Sequence, residues 1–180
     1  MKSVLISIQP YWVFLIIAKI MGWNIGNEKM VEVRKNYPKA ENWNKAVKIY
    51  CSKDKKSFSK IPKEYQPLME RFLGKVIGEF VCDIIEPYWF GSEETDIGEY
   101  EDVQNSCVPV EELLTYAGGK EVYFWSISQL KIYDKPKPLS EFHTVGYTKV
   151  KGSVYGWTDE EEKSWQISRP PQSWCYVEGR

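Results

Sequence analysis

The sequence predicts an α+β fold, and three observations carry that reading. Short runs rich in Val, Ile, Tyr, Phe and Trp recur from one end of the chain to the other, bounded by Gly, Pro and Asn, as strands are. Between them lie a few helical stretches opened by proline and closed by glycine, the first starting at Pro10. One strand-like run, Met-Val-Glu-Val-Arg (30–34), alternates apolar and charged residues with period two. At 180 residues, with 43% hydrophobic and 27% charged side chains, the chain suits one domain with its own core.

Residues 3–8 form the first expected strand, rich in Val, Leu and Ile. A helix follows over 11–21, apolar on nearly every side and therefore expected to be buried, with Gly22 ending it. Gly26-Asn27 turns the chain into the alternating strand. Residues 36–44 read as a polar loop, 46–51 as a strand, and 52–60 as a flexible basic insertion. Pro62 opens an expected second helix running to Leu73. The longest strand signal covers 75–85, where Gly78 marks a bulge or a close backbone approach. Residues 87–105 form an acidic insertion with no assigned structure. Pro109 starts a short helix that Gly118-Gly119 ends. Residues 122–127 read as a strand, extended over 130–133 after a kink. The stretch 144–163 is a surface loop or hairpin, and 172–177 is the last strand, after the rigid Pro170-Pro171.

Charge and cysteine content narrow the chemistry. With 24 basic and 25 acidic residues there is no global field favouring nucleic acid. The charges are segregated all the same: residues 30–63 hold ten Lys or Arg against three acids, and 86–112 hold no basic residue. A basic half fits a local phosphate-binding surface, and it fits a solvated face with no partner almost as well. Cys51, Cys82, Cys107 and Cys175 form no Cys-x-x-Cys pair, and with His143 as the one histidine no usual zinc spacing arises, so neither metal nor cofactor is expected. Eight Trp and twelve Tyr fill a core first, but such rings also stack on bases. The apolar run near the N-terminus is broken by Gln9-Pro10, too short to span a membrane, and poorly built for export, so a cytoplasmic protein is expected.

The stretch around the alternating strand holds the chemistry. Glu32 and Arg34 project to one side, about 7 Å apart along a strand, and Lys29 stands three residues before Glu32. A lysine, a carboxylate and an arginine gathered in this way could grip a polar, anionic ligand. An exposed strand face carrying a salt bridge is the simpler reading of the residues alone.

Ser-Ile-Gln-Pro (7–10), the apolar helix and Glu-Lys-Met-Val-Glu-Val-Arg (28–34) resemble the opening signature of the ASCH domains. So do Gly-Lys-Val-Ile-Gly-Glu-Phe (74–80), Tyr-Phe-Trp-Ser-Ile-Ser (123–128) and Arg-Pro-Pro-Gln-Ser-Trp-Cys-Tyr (169–176), in the family's order along nearly the whole chain. The resemblance implies a PUA-like mixed β-barrel of five to six strands with flanking helices, and a cleft between barrel and first helix with a lysine at its centre, matched by Lys29. It implies RNA or modified-nucleotide binding through Lys29, Glu32, Arg34 and Lys35, with Ser7, Gln9 and a nearby aromatic, Tyr11 or Trp12. As an alternative it implies an enzyme, a metal-independent ribonuclease or an N4-acylcytidine amidohydrolase, in which Lys29 is the base and Glu32 its neighbour. The amidohydrolase pattern of Lys, Thr and Glu is only partly present. Glu32 stands at the Thr position, and the Glu position falls near Ser106, with Glu101 and Asp102 as the nearest acids. A third reading is a phage- or mobile-element-borne protein that binds a host protein through its acidic loop. Oligomeric state is not legible.

Overall fold

The structure, a computed structural model, describes residues 1–91, 96–150 and 159–179. The first strand, β1 (Lys2–Ile8), is central. It runs parallel to β3 (Trp43–Cys51) and antiparallel to β10 (Trp174–Glu178), pairing Leu5 with Lys48 on one side and with Cys175 on the other. Beyond β3 lie β4 (Lys75–Val81) and β7 (Ser128–Pro138), and beyond β10 lie β8 (His143–Val150) and β9 (Asp159–Gln166), giving the order β7-β4-β3-β1-β10-β8-β9. A second sheet has the order β2-β6-β5, from β2 (Val31–Arg34), β6 (Val122–Ser126) and β5 (Ile85–Tyr88). The fold is thus mixed α+β, with ten strands in two sheets among the described residues where five to six were expected. Among the described residues strand pairing closes no barrel: β7 and β9 are the edges of one sheet, β2 and β5 of the other.

The first helix, α1 (Pro10–Ile17), is shorter than the expected 11–21, and residues 18–22 continue it only as turns. Val13, Phe14 and Ile17 pack with Val4, Ile6, Ile8 and Ile49 of the large sheet and with Trp125 of β6. Each such side chain taken from water contributes about 1.5–3 kcal/mol, which is why a helix this apolar has no solvated face. The expected basic insertion contains a short helix, α2 (Lys55–Phe58), capped by the Asp54 carboxylate accepting from Ser57 N at 2.6 Å. The helix expected from Pro62 shrinks to α3 (Gln66–Glu70).

Gly78 is a close approach, as its position implied. The β4 register shifts beside it, and a Cβ there would lie 2.3 Å from the Lys131 carbonyl oxygen. The kink after β6 is Gln129, with φ of 47°. Structure also appears where none was assigned. The acidic stretch supplies the second half of β5, a 3-10 turn (Ile97–Glu99) and nearly all of α4 (Glu101–Ser106), while 92–95 lie outside the described residues. The stretch 144–163 is the hairpin alternative, β8 paired with β9, and its tip at 151–158 is likewise outside them. Helix α5 (Val110–Ala117) follows Pro109 and ends at Gly118 in the left-handed region, φ 59°.

A second core forms where α4 and α5 cover β2 and β6: Val31, Val33 and Phe124 pack with Val103, Leu113 and Ala117. Among the described residues no helix is long and apolar enough to cross a membrane.

Candidate functional site

The alternation of β2 holds, but its polar face is not exposed. Val31 and Val33 turn toward α4 and α5, while Glu32 and Arg34 turn toward β1 and α1 and are only 5% and 9% exposed. The expectation of a solvated Glu32–Arg34 face is therefore corrected: β2 is covered on both sides. Just before the strand, Lys29 N donates to the Leu15 carbonyl of α1 at 3.3 Å and Met30 N to the Asn105 carbonyl of α4 at 2.8 Å. That pins Lys29 between two helices, 3% exposed.

The three charged side chains form one buried chain of contacts. Lys29 Nζ donates to the Ser106 carbonyl, the last residue of α4, at 2.7 Å, satisfying an oxygen that the helix end leaves free. It also lies 3.3 Å from Glu32 Oε2 and 5.2 Å from the centre of the Trp12 ring. The other Glu32 oxygen, Oε1, is 2.8 Å from Arg34 Nη2, which donates onward to the Ser7 carbonyl of β1 at 2.7 Å. Helix α4, strand β2 and strand β1 are thus tied by two cations sharing one carboxylate.

Burial dominates the electrostatics. Loss of water pulls the Lys29 ammonium below the usual lysine range, and the Glu32 carboxylate opposes that only in part. The Cys107 thiol, next in chain to Ser106, is pushed up by burial against the pull of Lys29. The Tyr116 hydroxyl is likewise raised by burial, with Arg34 opposing.

These side chains open onto a cavity of about 470 Å³, within the range of about 300–1,000 Å³ typical of small-molecule sites. Of the residues singled out from sequence, Ser7, Gln9, Trp12, Lys29, Glu32 and Arg34 line it. Tyr11 and Lys35 do not. Adjacent residues on a helix point different ways, so Tyr11 faces Phe14 at 6.5 Å while Lys60 sits 5.9 Å above its ring. Lys35 falls on the opposite side of the strand from Arg34 and lies over the Tyr116 ring at 4.9 Å. Ser106 is fully buried, and Asp102 accepts from the Tyr88 hydroxyl at 3.0 Å; neither they nor Glu101 line the cavity.

Other walls were not legible. Ser52 and Asp54 follow β3, Glu112 and Tyr116 come from α5, and Pro170 to Gln172 precede β10. The one local signal among them is the capping role of Asp54. Glu32, Asp54 and Glu112 are the carboxylates at the cavity, against the cations Lys29 and Arg34.

The mixed α+β fold is similar to that of ASCH proteins of known structure. The ASCH protein of Zymomonas mobilis, in the crystal structure of a point variant, matches with a TM-score of 0.55 and 14% identity over 99% of this chain and 91% of that one. Another crystal structure, of ASCH from the same organism, gives 0.54 and 14% over 98% and 87%. At this identity the likeness is one of fold. No protein-family model matches the sequence, and no curated protein does.

Proposed function

We propose that this protein binds RNA or a modified nucleotide in the cavity bounded by Lys29, Glu32, Arg34 and Trp12. In this reading the two sheets are walls of a PUA-like barrel with the ligand held between them. The observation that carries it is the buried Lys29–Glu32–Arg34 chain opening onto a cavity of nucleotide size. Burying three charged groups costs several kcal/mol each before their mutual attraction is counted. A surface salt bridge would hold the strand without that cost, so the arrangement fits a site better than a girder. Calorimetry with a panel of nucleosides and short RNAs tests it: wild type binds at least one and Lys29→Met does not, whereas absence of any binding at low salt rejects the reading.

One observation favours an enzyme as a second reading. Lys29 is pulled toward its neutral form, and two carboxylates that sequence did not supply, Asp54 and Glu112, face the same cavity. A neutral lysine within about 3 Å of a substrate hydroxyl or water is a general base, worth about 100- to 10,000-fold in rate. Against it, the ammonium form is well held here, by the Ser106 carbonyl, Glu32 and the Trp12 face. Incubation with RNA and with N4-acylcytidine decides: turnover abolished in Lys29→Met supports the enzyme, and turnover retained there rejects Lys29 as base.

A further inference from the structure

Among the described residues, four buried side-chain atoms lack a hydrogen-bond partner: Ser7 Oγ, Arg34 Nε, Ser52 Oγ and Trp125 Nε1. The first three belong to residues lining the same cavity. An unpaired buried polar group costs about 1–3 kcal/mol, and the large majority of such groups are paired. Three lie just beneath the wall of one cavity, brought there from β1, β2 and the end of β3, each shut off from solvent, so a ligand in the cavity meets them only as their side chains turn. Ser52 is tied beside β1 by its own N–H, which donates to the Ile8 carbonyl at 2.9 Å. Arg34 has spent Nη2 on Glu32 and Ser7, and Nε–H can only donate, so the missing partner includes an acceptor.

The charges decide which acceptor. The lining holds two cations, Lys29 and Arg34, and three carboxylates, Glu32, Asp54 and Glu112. Asp54 is partly committed to capping Ser57, and both it and Glu112 are exposed and screened by solvent, but the count remains acidic. A phosphate bearing up to two charges meets repulsion there, whereas an uncharged carbonyl oxygen does not. Trp12 and Tyr116 bring ring surface to the same walls, suited to a flat ligand. We infer that Arg34 Nε with the Ser7 and Ser52 hydroxyls is a specificity element that selects an uncharged base by its carbonyl oxygen. Each serine hydroxyl reaches the ligand by a change of χ1 rotamer, and Arg34 Nε by a shift of the guanidinium group. The phosphates of a nucleotide or strand stay outside, where the lysines are. This deepens, and rests on, the nucleotide-binding reading.

The test uses the full chain and calorimetry with uridine, adenosine (which has no base carbonyl), uridine 5′-monophosphate and inorganic phosphate. Wild type, Ser7→Ala, Ser52→Ala and Arg34→Lys are compared, with thermal melts confirming that each is folded. The serine variants carry the test if Arg34→Lys does not fold. The expected result is that uridine binds wild type as well as its monophosphate does, that adenosine binds more weakly, and that phosphate does not compete. Each serine variant then loses about tenfold for uridine, and the uridine preference narrows. Serine variants indistinguishable from wild type, in affinity and in preference, overturn the inference while the nucleotide-binding reading stands. A monophosphate that binds far more tightly than the nucleoside, with phosphate competing, also overturns it alone. Wild type that binds none of the nucleosides, nucleotides or short RNAs overturns both.

Discussion

Lys29 meets Glu32 inside the protein, Nζ to Oε2 at 3.3 Å, with both side chains at less than a tenth of their possible exposure. Because Arg34 uses the other oxygen of the same carboxylate at 2.8 Å, Glu32 is the hinge of the cluster. Glu32→Gln therefore leaves two buried cations with a neutral amide between them. The expected loss of stability is about 3–5 kcal/mol, the cost of breaking a buried pair, measured by urea denaturation. Lys29→Met, which leaves Glu32 paired to Arg34, costs less. Equal losses in the two variants would show that Glu32 is not shared.

The pH dependence of stability carries a sign. The folded-state pKa of Lys29 lies below its unfolded value of 10.5 because burial disfavours the ammonium. Between the two values the unfolded chain binds more protons, so this group makes the protein more stable as pH rises through that window toward 10.5, and its penalty is constant at lower pH. Cys51 and Cys82 act oppositely: burial lifts both thiols to about 12, so their contribution falls as pH climbs above the ordinary thiol range. The Lys29 effect is read as a difference. Stability of wild type minus that of Lys29→Met, followed from pH 7 into the alkaline range, should rise; a flat difference refutes the direction of the shift.

Gly78 tests the packing of β4 on β7. A Cβ there stands 2.3 Å from the Lys131 carbonyl oxygen and 3.0 Å from the Ile132 Cα, both backbone atoms that cannot swing aside. Gly78→Ala should destabilise by about 1–3 kcal/mol, as overpacking does. A melting temperature unchanged from wild type would mean that the two strands separate at no cost.

Salt dependence separates the cavity from the basic surface. Lys35 is exposed and lies over the Tyr116 ring, but Arg34 is buried and is not placed like a freely solvated phosphate contact. Lys55 and Lys56, exposed on α2 just beyond Asp54, are. Replacing either with Ala should lower the slope of log affinity against log salt for single-stranded RNA by about 1. Arg34→Ala should instead weaken binding with little change of slope. A slope reduced by Arg34→Ala and untouched by the lysine variants would reverse the assignment.

Much of the fold is written in local pattern. Proline at the start of α1 and before α5, glycine after α5, the apolar run of β1 and the alternation of β2 are all choices that a residue and its near neighbours make by sterics and period. Gly78 was legible for the same reason. The pattern failed where local preference is weak. The acidic stretch has little apolar content, yet Val103 and Ile97 anchor its 3-10 turn and α4 to the second core once β2 and β6 are there to receive them. The helix expected over 62–73 kept only residues 66–70, held by Met69 in the main core.

The site divides along the same line. The sequence by itself determined that Lys29, Glu32 and Arg34 stand together, since strand geometry places residues 32 and 34 on one face and Lys29 at its entrance. Tertiary structure alone decided that this face is buried, because coverage depends on α1 and β1 arriving on one side of β2 and α4 and α5 on the other. It alone decided that Ser52, Asp54, Glu112 and Tyr116 share a cavity with them. These residues come from two segments that lie tens of positions from each other and from Lys29, Glu32 and Arg34 in the chain, and no local preference brings those segments to one place; only tertiary packing does.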